Sequence, residues 1–347
     1  MYKFGLIFLL TLLTSTPMAQ LLEQIPFEEQ DQTIINPIVD NPLQLEITEW
    51  PVPWKDSRPR DPDVAPNGVI WLVGQGGDYV ARFDPASQEF TRKDLPPGTG
   101  PHNLIVDRNG SLWIAGNRQA FIGRMNSVTG ELSRYTLPDE SARDPHTLVF
   151  SGNNEIWFTM QWSNYVGRLN KRSGKVDLVP MQTEKARPYG IKMDSKGHPW
   201  VALLGTNGLA TIDPKNLVLN VIYLPREDAR LRRLAITDDD MVWYTDYSQG
   251  YIGRYEPETG EFTEWKTPSE KSGPYAMAAD NLGRIWFVET WPEPNLLVGF
   301  DPLFGTFFSV TAIPSGAGAV RHMVYDVSRN SLWFGTDTNN LAQAVLP

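Results

Sequence analysis

Asp144-Pro145-His146-Thr147-Leu148-Val149-Phe150-Ser151 leads through Gly152-Asn153-Asn154 to Glu155-Ile156-Trp157-Phe158-Thr159. Tyr165-Val166-Gly167-Arg168-Leu169 then passes through Ser173-Gly174 to Val176-Asp177-Leu178-Val179-Pro180. The apolar runs 148–150, 156–159, 165–169 and 176–179 are short, β-branched or aromatic, and separated by turn residues, which predicts four antiparallel strands. The tryptophan of this unit recurs at Trp71, Trp113, Trp157, Trp200, Trp243, Trp286 and Trp333, with spacings of 42, 44, 43, 43, 43 and 47 residues. A period in the low forties marks a repeat architecture. One four-stranded sheet of about forty residues cannot bury both faces alone, so the copies must stack face to face. The repeated tryptophan is read as the aromatic that fills the space between adjacent sheets.

The two ends of the repeat decide between an open array and a ring. Residues 43–53 match the fourth strand of the later copies (90–96, 132–138, 218–225 and 262–268), while the last copy stops at 341–346, its third strand. The N-terminal strand is therefore expected to complete the final blade, leaving no unpaired edge. The expected fold is all-β: one seven-bladed β-propeller over residues 43–347, four antiparallel strands per blade.

Of 347 residues, 31 are basic and 41 acidic, a formal charge of −10. That sign disfavours binding to nucleic acid. Without cysteine there is no disulfide, thiolate metal site or cysteine nucleophile, so oxygen or imidazole must hold any metal. Lys3, the apolar run 4–13 and Met18-Ala19 read as a secretory leader over residues 1–19, too short to span a bilayer as a helix. Pro17 leaves the cleavage point uncertain by a few residues. Residues 20–42 are polar, acidic and proline-punctuated, a flexible lead-in. The protein is expected in the periplasm or outside the cell, as a monomer with no membrane span.

The first strand of each copy starts at one face, the mouth, and the second returns there. Ten or eleven residues before each tryptophan stand Arg60, His102, His146, Tyr189, Arg233, Tyr275 and His322, five of them after a proline. Three of the four histidines share this position. A polar ring of this kind could merely hydrate the channel entrance, but its composition favours function, with Arg60, His102, His146 and Tyr189 as substrate contacts. Asp246, Glu289 and Asp337 end second strands and are candidate mouth carboxylates, and Asp144 lies two residues before His146. His198 belongs to a far-face turn. The segments 291–294 and 315–319 lengthen the sixth interval at the mouth, as the wall of a ligand pocket would.

The blades read Pro-His-x-Leu, then Leu/Ile-Trp-Phe/Ile, then Ile/Val-Gly-Arg at 122–124, 166–168 and 252–254, then Thr-Gly and a Tyr/Trp-x-x-Pro strand. This pattern resembles the virginiamycin B lyase (streptogramin B lyase) family over 43–347. The resemblance implies opening of a cyclic depsipeptide by elimination, with magnesium, two histidines on the last two blades and two carboxylates flanking the final histidine. Carried over collinearly, His322 matches the proton-abstracting histidine and Asp337 the second carboxylate. Val320 stands at the first carboxylate's place and Tyr275 at that of the other histidine. A rotated match offers His102 and His146 with Asp144, but Met160 and Gln161 lack the expected acid.

The chemistry these groups suggest is proton abstraction beside a carbonyl followed by loss of a β-oxygen. His322 is the expected base, Tyr275 donates to the leaving oxygen or assists the base, and Arg233 steadies the enolate, with or without magnesium at Asp337 and Glu289. A uronate polysaccharide fits this scheme as well as a depsipeptide, and a lactone-hydrolysing relative is a further alternative. The rival class is a non-catalytic secreted propeller that binds a small molecule, glycan or protein at its mouth.

Overall fold

A computed structural model describes residues 38–347 except Asn153, so the leader at 1–19 and the lead-in at 20–37 lie outside the described residues. The sequence reading of the fold holds: seven sheets, each built from four antiparallel strands, and no helix among the described residues. The innermost strands are Pro59–Val64, Pro101–Val106, Pro145–Ser151, Pro188–Met193, Leu231–Ile236, Pro274–Ala279 and Met323–Asp326.

Ile47–Pro51 pairs antiparallel with Asn340–Val345, placing Ile47 opposite Ala344 and Trp50 opposite Leu341, so blade 7 is completed by the N-terminal strand. One part of the expected lead-in is ordered differently. Ile38–Leu43 is a strand, parallel to Thr306–Ala312 at the outer edge of blade 6. Residues 38–42 thus cover an edge that would otherwise be unpaired.

Each repeated tryptophan packs against the next blade. Trp157 lies with Ile191 and Val201 of blade 4, Trp243 with Met277 and Phe287 of blade 6, and Trp333 with Ile70 and Leu72 of blade 1. That last contact closes the ring. In two of the three Ile/Val-Gly-Arg motifs the glycine makes room for a ring on the neighbouring strand. A Cβ on Gly167 would sit 2.2 Å from the Phe158 ring, and one on Gly253 2.1 Å from Tyr244.

The inner strands of blades 1–6 carry a bulge just after their start, as between Pro145 and Leu148. A bulge leaves a residue out of the ladder and re-aims its side chain. Here it turns two successive residues towards the axis, and two polar layers result.

Candidate functional site

Backbone pairing fixes which residues are equivalent at the mouth. Gln75 N–H bonds Arg58 O, Tyr247 N–H bonds Arg230 O, and Asp337 N–H bonds Ala319 O. Counting from these, the upper ring is Arg60, His102, His146, Tyr189, Arg232, Tyr275 and Arg321. Arg233 and His322, expected in that ring, lie one residue deeper, level with Asp61, Asn103 and Thr147. In blade 7 the tryptophan stands nine residues after its inner-strand partner, Val324, against eight between Asp63 and Trp71. Counting back from Trp333 therefore slips by one. In blade 5 the register favours Arg232 over its neighbour.

The upper ring is closely packed. The rings of His102 and His146 are 3.6 Å apart and those of His146 and Tyr189 4.2 Å. His102 Nδ1 donates to His146 O at 3.2 Å. The Tyr189 and Tyr275 hydroxyls are hydrogen-bonded to each other. Arg232 covers them, its guanidinium 4.3 Å from the Tyr275 ring and 3.7 Å from Tyr247 on the other side. Tyr247 accepts a hydrogen bond from Trp291 Nε1 at 3.0 Å, which ties the 291–294 segment to this cluster.

Beneath lies an ion-paired layer. Asp61, wholly buried, accepts from Arg60 Nε at 3.1 Å, Asn103 Nδ2 at 3.1 Å and Arg233 Nη2 at 3.3 Å. Arg233 also donates to Thr147 Oγ1 at 3.0 Å and to Arg321 O at 2.8 Å. Asp61 was not foreseen. Its signal was a carboxylate in Arg60-Asp61-Pro62-Asp63, at a level where Asn103, Thr147, Arg233 and His322 of other copies carry none. Burial alone would raise the Asp61 carboxyl, but Arg60 and Arg233 outweigh it and hold it well below the usual range.

The same guanidinium groups separate the two tyrosines. Burial works to raise the Tyr189 phenol, yet Arg233, Arg232 and Arg60 bring it below its ordinary value. Burial and the neighbouring Tyr189 push the Tyr275 phenol well above its ordinary value. Burial, with Arg60 close by, drives His102 well below the ordinary imidazole value, and burial with His102 and Arg233 does the same to His146. His322 is taken down to about 3 by burial, with Arg233 and Lys192 adding to the effect and Asp61 opposing it. A base that weak draws little driving force for taking a carbon-bound proton. Two buried nitrogens of the ring, Arg60 Nη2 and His146 Nε2, have no hydrogen-bond partner among the described residues.

The outer carboxylates do not converge on the histidines. Asp337 is ion-paired with Arg321 and lies 3.8 Å from Arg58. Glu289 accepts from the Ser269 N–H at 3.1 Å and from the Ser269 hydroxyl, which ties it to the loop before blade 6. Asp144 accepts from the N–H groups of Trp162 and Ser163 at 2.7 and 3.0 Å. His198 sits in its far-face turn, 3.3 Å from Asp194. Among the described residues no three His, Asp or Glu side chains gather as metal ligands. With guanidinium groups already on Asp337, this donor set does not fit magnesium.

Comparison with known proteins agrees with this architecture. The virginiamycin B lyase family model matches residues 32–212 and 177–345. The chain belongs to the virginiamycin B lyase family. Among solved structures, virginiamycin B lyase from Staphylococcus aureus superposes with a TM-score of 0.80 at 21% identity, over 88% of this chain and 100% of that one. A streptogramin B lyase gives 0.79 at 22% identity, over 87% and 98%. A catalytically inactive variant of the S. aureus lyase with quinupristin gives 0.79 at 21% identity, over 88% and 100%. At such identities the superpositions bear on the fold alone. No curated protein sequence matches this chain. Among the described residues no helix is long and apolar enough to cross a membrane.

Proposed function

We propose that this family member is a carbon–oxygen lyase acting at the channel mouth on a substrate that carries a carboxylate beside the acidic C–H, as a uronate sugar does. The observation that carries this reading is the Tyr189–Tyr275 hydroxyl pair beneath Arg232, with the two phenols shifted in opposite directions. Titratable partners pulled apart in this way divide acid and base roles between them. Tyr189, as phenolate, takes the proton on the carbon next to the carboxylate. The electron pair left behind forms the new double bond as the β-carbon–oxygen bond breaks, and the Tyr275 hydroxyl protonates the departing oxygen. The direct hydrogen bond then lets a proton return from Tyr189 to Tyr275, so the cycle closes without an oxidant or other co-reactant.

Arginines bind the carboxylate and offset the enolate charge. Arg232 lies directly over the pair, and Arg60 Nη2 is a buried donor still without an acceptor. Trp162 and Trp291, 68% and 45% exposed, belong to blades 3 and 6, which are nearly opposite in the ring, and their exposed aromatic surface suits contact with a sugar chain. His322 is recast here as a neutral neighbour, and no step passes through a metal. A polyuronate substrate is in keeping with export, the destination expected if residues 1–19 act as a secretory leader. Incubation with polyuronates and with a cyclic depsipeptide, following absorbance of a new conjugated double bond, tests it: growth on the polyuronate supports the proposal, and none on either substrate defeats it.

A non-catalytic binding role is favoured by one specific feature. Tyr189 and Tyr275 are only 5% and 3% exposed, so a reacting carbon reaches them only after Arg232 moves. Tight uronate binding without turnover would decide for that reading.

A further inference from the structure

The channel holds a second cavity, of about 260 Å³, below the ion-paired layer and towards the face opposite the mouth. Its upper end is made by Thr147, Arg233 and His322. Its sides are the later residues of the inner strands: Leu104, Ile105, Val149, Phe150 and Val324, with Asp63 and Lys192 among them. At about 30 Å³ per water the space equals roughly nine waters, room for a benzoate or a hexanoate.

The polar groups in this cavity are unevenly served. Asp63 accepts from the N–H groups of Val64 and Val106 at 2.9 and 2.7 Å. Arg233 is held by Asp61, Thr147 and Arg321. Lys192 has neither an ion pair nor a hydrogen bond among the described residues, although it stands in a largely apolar wall. His322 Nδ1 is likewise without a partner. In the ion-paired layer and the cavity below it three cations, Arg60, Arg233 and Lys192, face two carboxylates, Asp61 and Asp63. An ammonium group next to apolar surface and an excess positive charge call for an anion.

We propose that the far end of the channel binds a small monocarboxylate with an apolar tail, its carboxylate held by Lys192 and the imidazole of His322 and its tail against Ile105, Val149, Phe150 and Val324. Burial and the nearby Arg233 lower the Lys192 amine from its ordinary value, and the Asp63 carboxylate only partly offsets them. The site is distinct from the mouth, from which Asp61 and the upper ring separate it, and it does not depend on the elimination chemistry.

Calorimetric titration of the full chain with benzoate and with hexanoate tests the proposal. One equivalent should bind, at least tenfold more tightly than benzamide, and Lys192→Met should weaken binding tenfold or more while Arg232→Ala at the mouth leaves it unchanged. Ile105→Phe, which narrows the cavity and keeps its charges, should also weaken it tenfold, and serves if Lys192→Met does not fold. Failure of both carboxylates to bind, equal affinity in the variants that fold, or loss of binding in Arg232→Ala would overturn the assignment.

Discussion

Arg233 of blade 5 donates to Asp61 of blade 1 at 3.3 Å across the channel axis, joining residues 172 positions apart in sequence. Both side chains are almost wholly buried. Removing one partner of a buried pair leaves the other charge uncompensated. Asp61→Asn keeps the shape and loses the charge that Arg60 and Arg233 share. It should lower unfolding free energy by about 3–5 kcal/mol, measured from denaturant midpoints. A change under 1 kcal/mol would mean that the layer is not a unit.

The His322 imidazole, half-buried with its Nδ1 shut off from solvent, makes a pH prediction. Its folded pKa, about 3, lies below the ordinary value of 6.5. Between those values the unfolded chain binds the extra proton, so His322 costs stability increasingly as pH falls below 6.5. From pH 7 to pH 5 that cost amounts to about 2 kcal/mol. Asp63, raised by burial to about 6, changes stability in the opposite direction as pH falls below 6 and partly masks the loss. His322→Asn therefore should lose about 2 kcal/mol less than the parent between those pH values. Parallel curves for the two proteins would contradict the burial of a neutral His322.

Three of the repeated tryptophans give their indole N–H to the aspartate six residues earlier: Trp113 to Asp107, Trp200 to Asp194 and Trp286 to Asp280, at 3.0, 3.1 and 2.8 Å. Blade 3 has Ser151 at that place, and Trp157 Nε1 is buried without a partner. Ser151→Asp should supply the acceptor and raise stability by about 1 kcal/mol. A fall in melting temperature would show that blade 3 cannot adopt the aspartate turn.

Elimination, if carried by the phenol pair, divides the effects of two substitutions. Tyr189→Phe removes the base and should cut kcat by about 10²–10⁴, with KM little changed. Tyr275→Phe should slow substrates with poor leaving groups most and those with good ones least. Equal kcat in Tyr189→Phe and the parent would remove the phenol from the chemistry.

Much of the fold was legible because it repeats. Tryptophans at near-constant spacing fixed seven sheets, and the mismatch between residues 43–53 and 341–346 located the closing strand. Gly167 and Gly253 repeat because their strands face a ring that leaves no space for a Cβ. The site was legible only as a set. Proline followed by His or Tyr pointed to the channel, yet the bulge after each inner-strand start is a backbone event that residue spacing does not encode. His322 was placed one layer too high because blade 7 carries one more residue between its inner strand and Trp333, and Arg233 because it was counted ten rather than eleven residues before Trp243. Asp61 was missed because its role depends on Arg233, a partner that only ring closure brings near. Asp337 and Glu289 looked like metal ligands because a carboxylate at a strand end reads the same whether it faces an ion, an arginine or a serine.

The central claim is that guanidinium groups hold one tyrosine, Tyr189, below the ordinary phenol range beside a partner held above it. Ultraviolet titration of phenolate absorbance on the folded protein addresses this directly and needs no substrate. One phenol of the 12 tyrosines should ionise ahead of the rest, and that early step should vanish in Tyr189→Phe but persist in Tyr135→Phe. An early step that survives Tyr189→Phe, or a parent curve with no early step, would contradict the account.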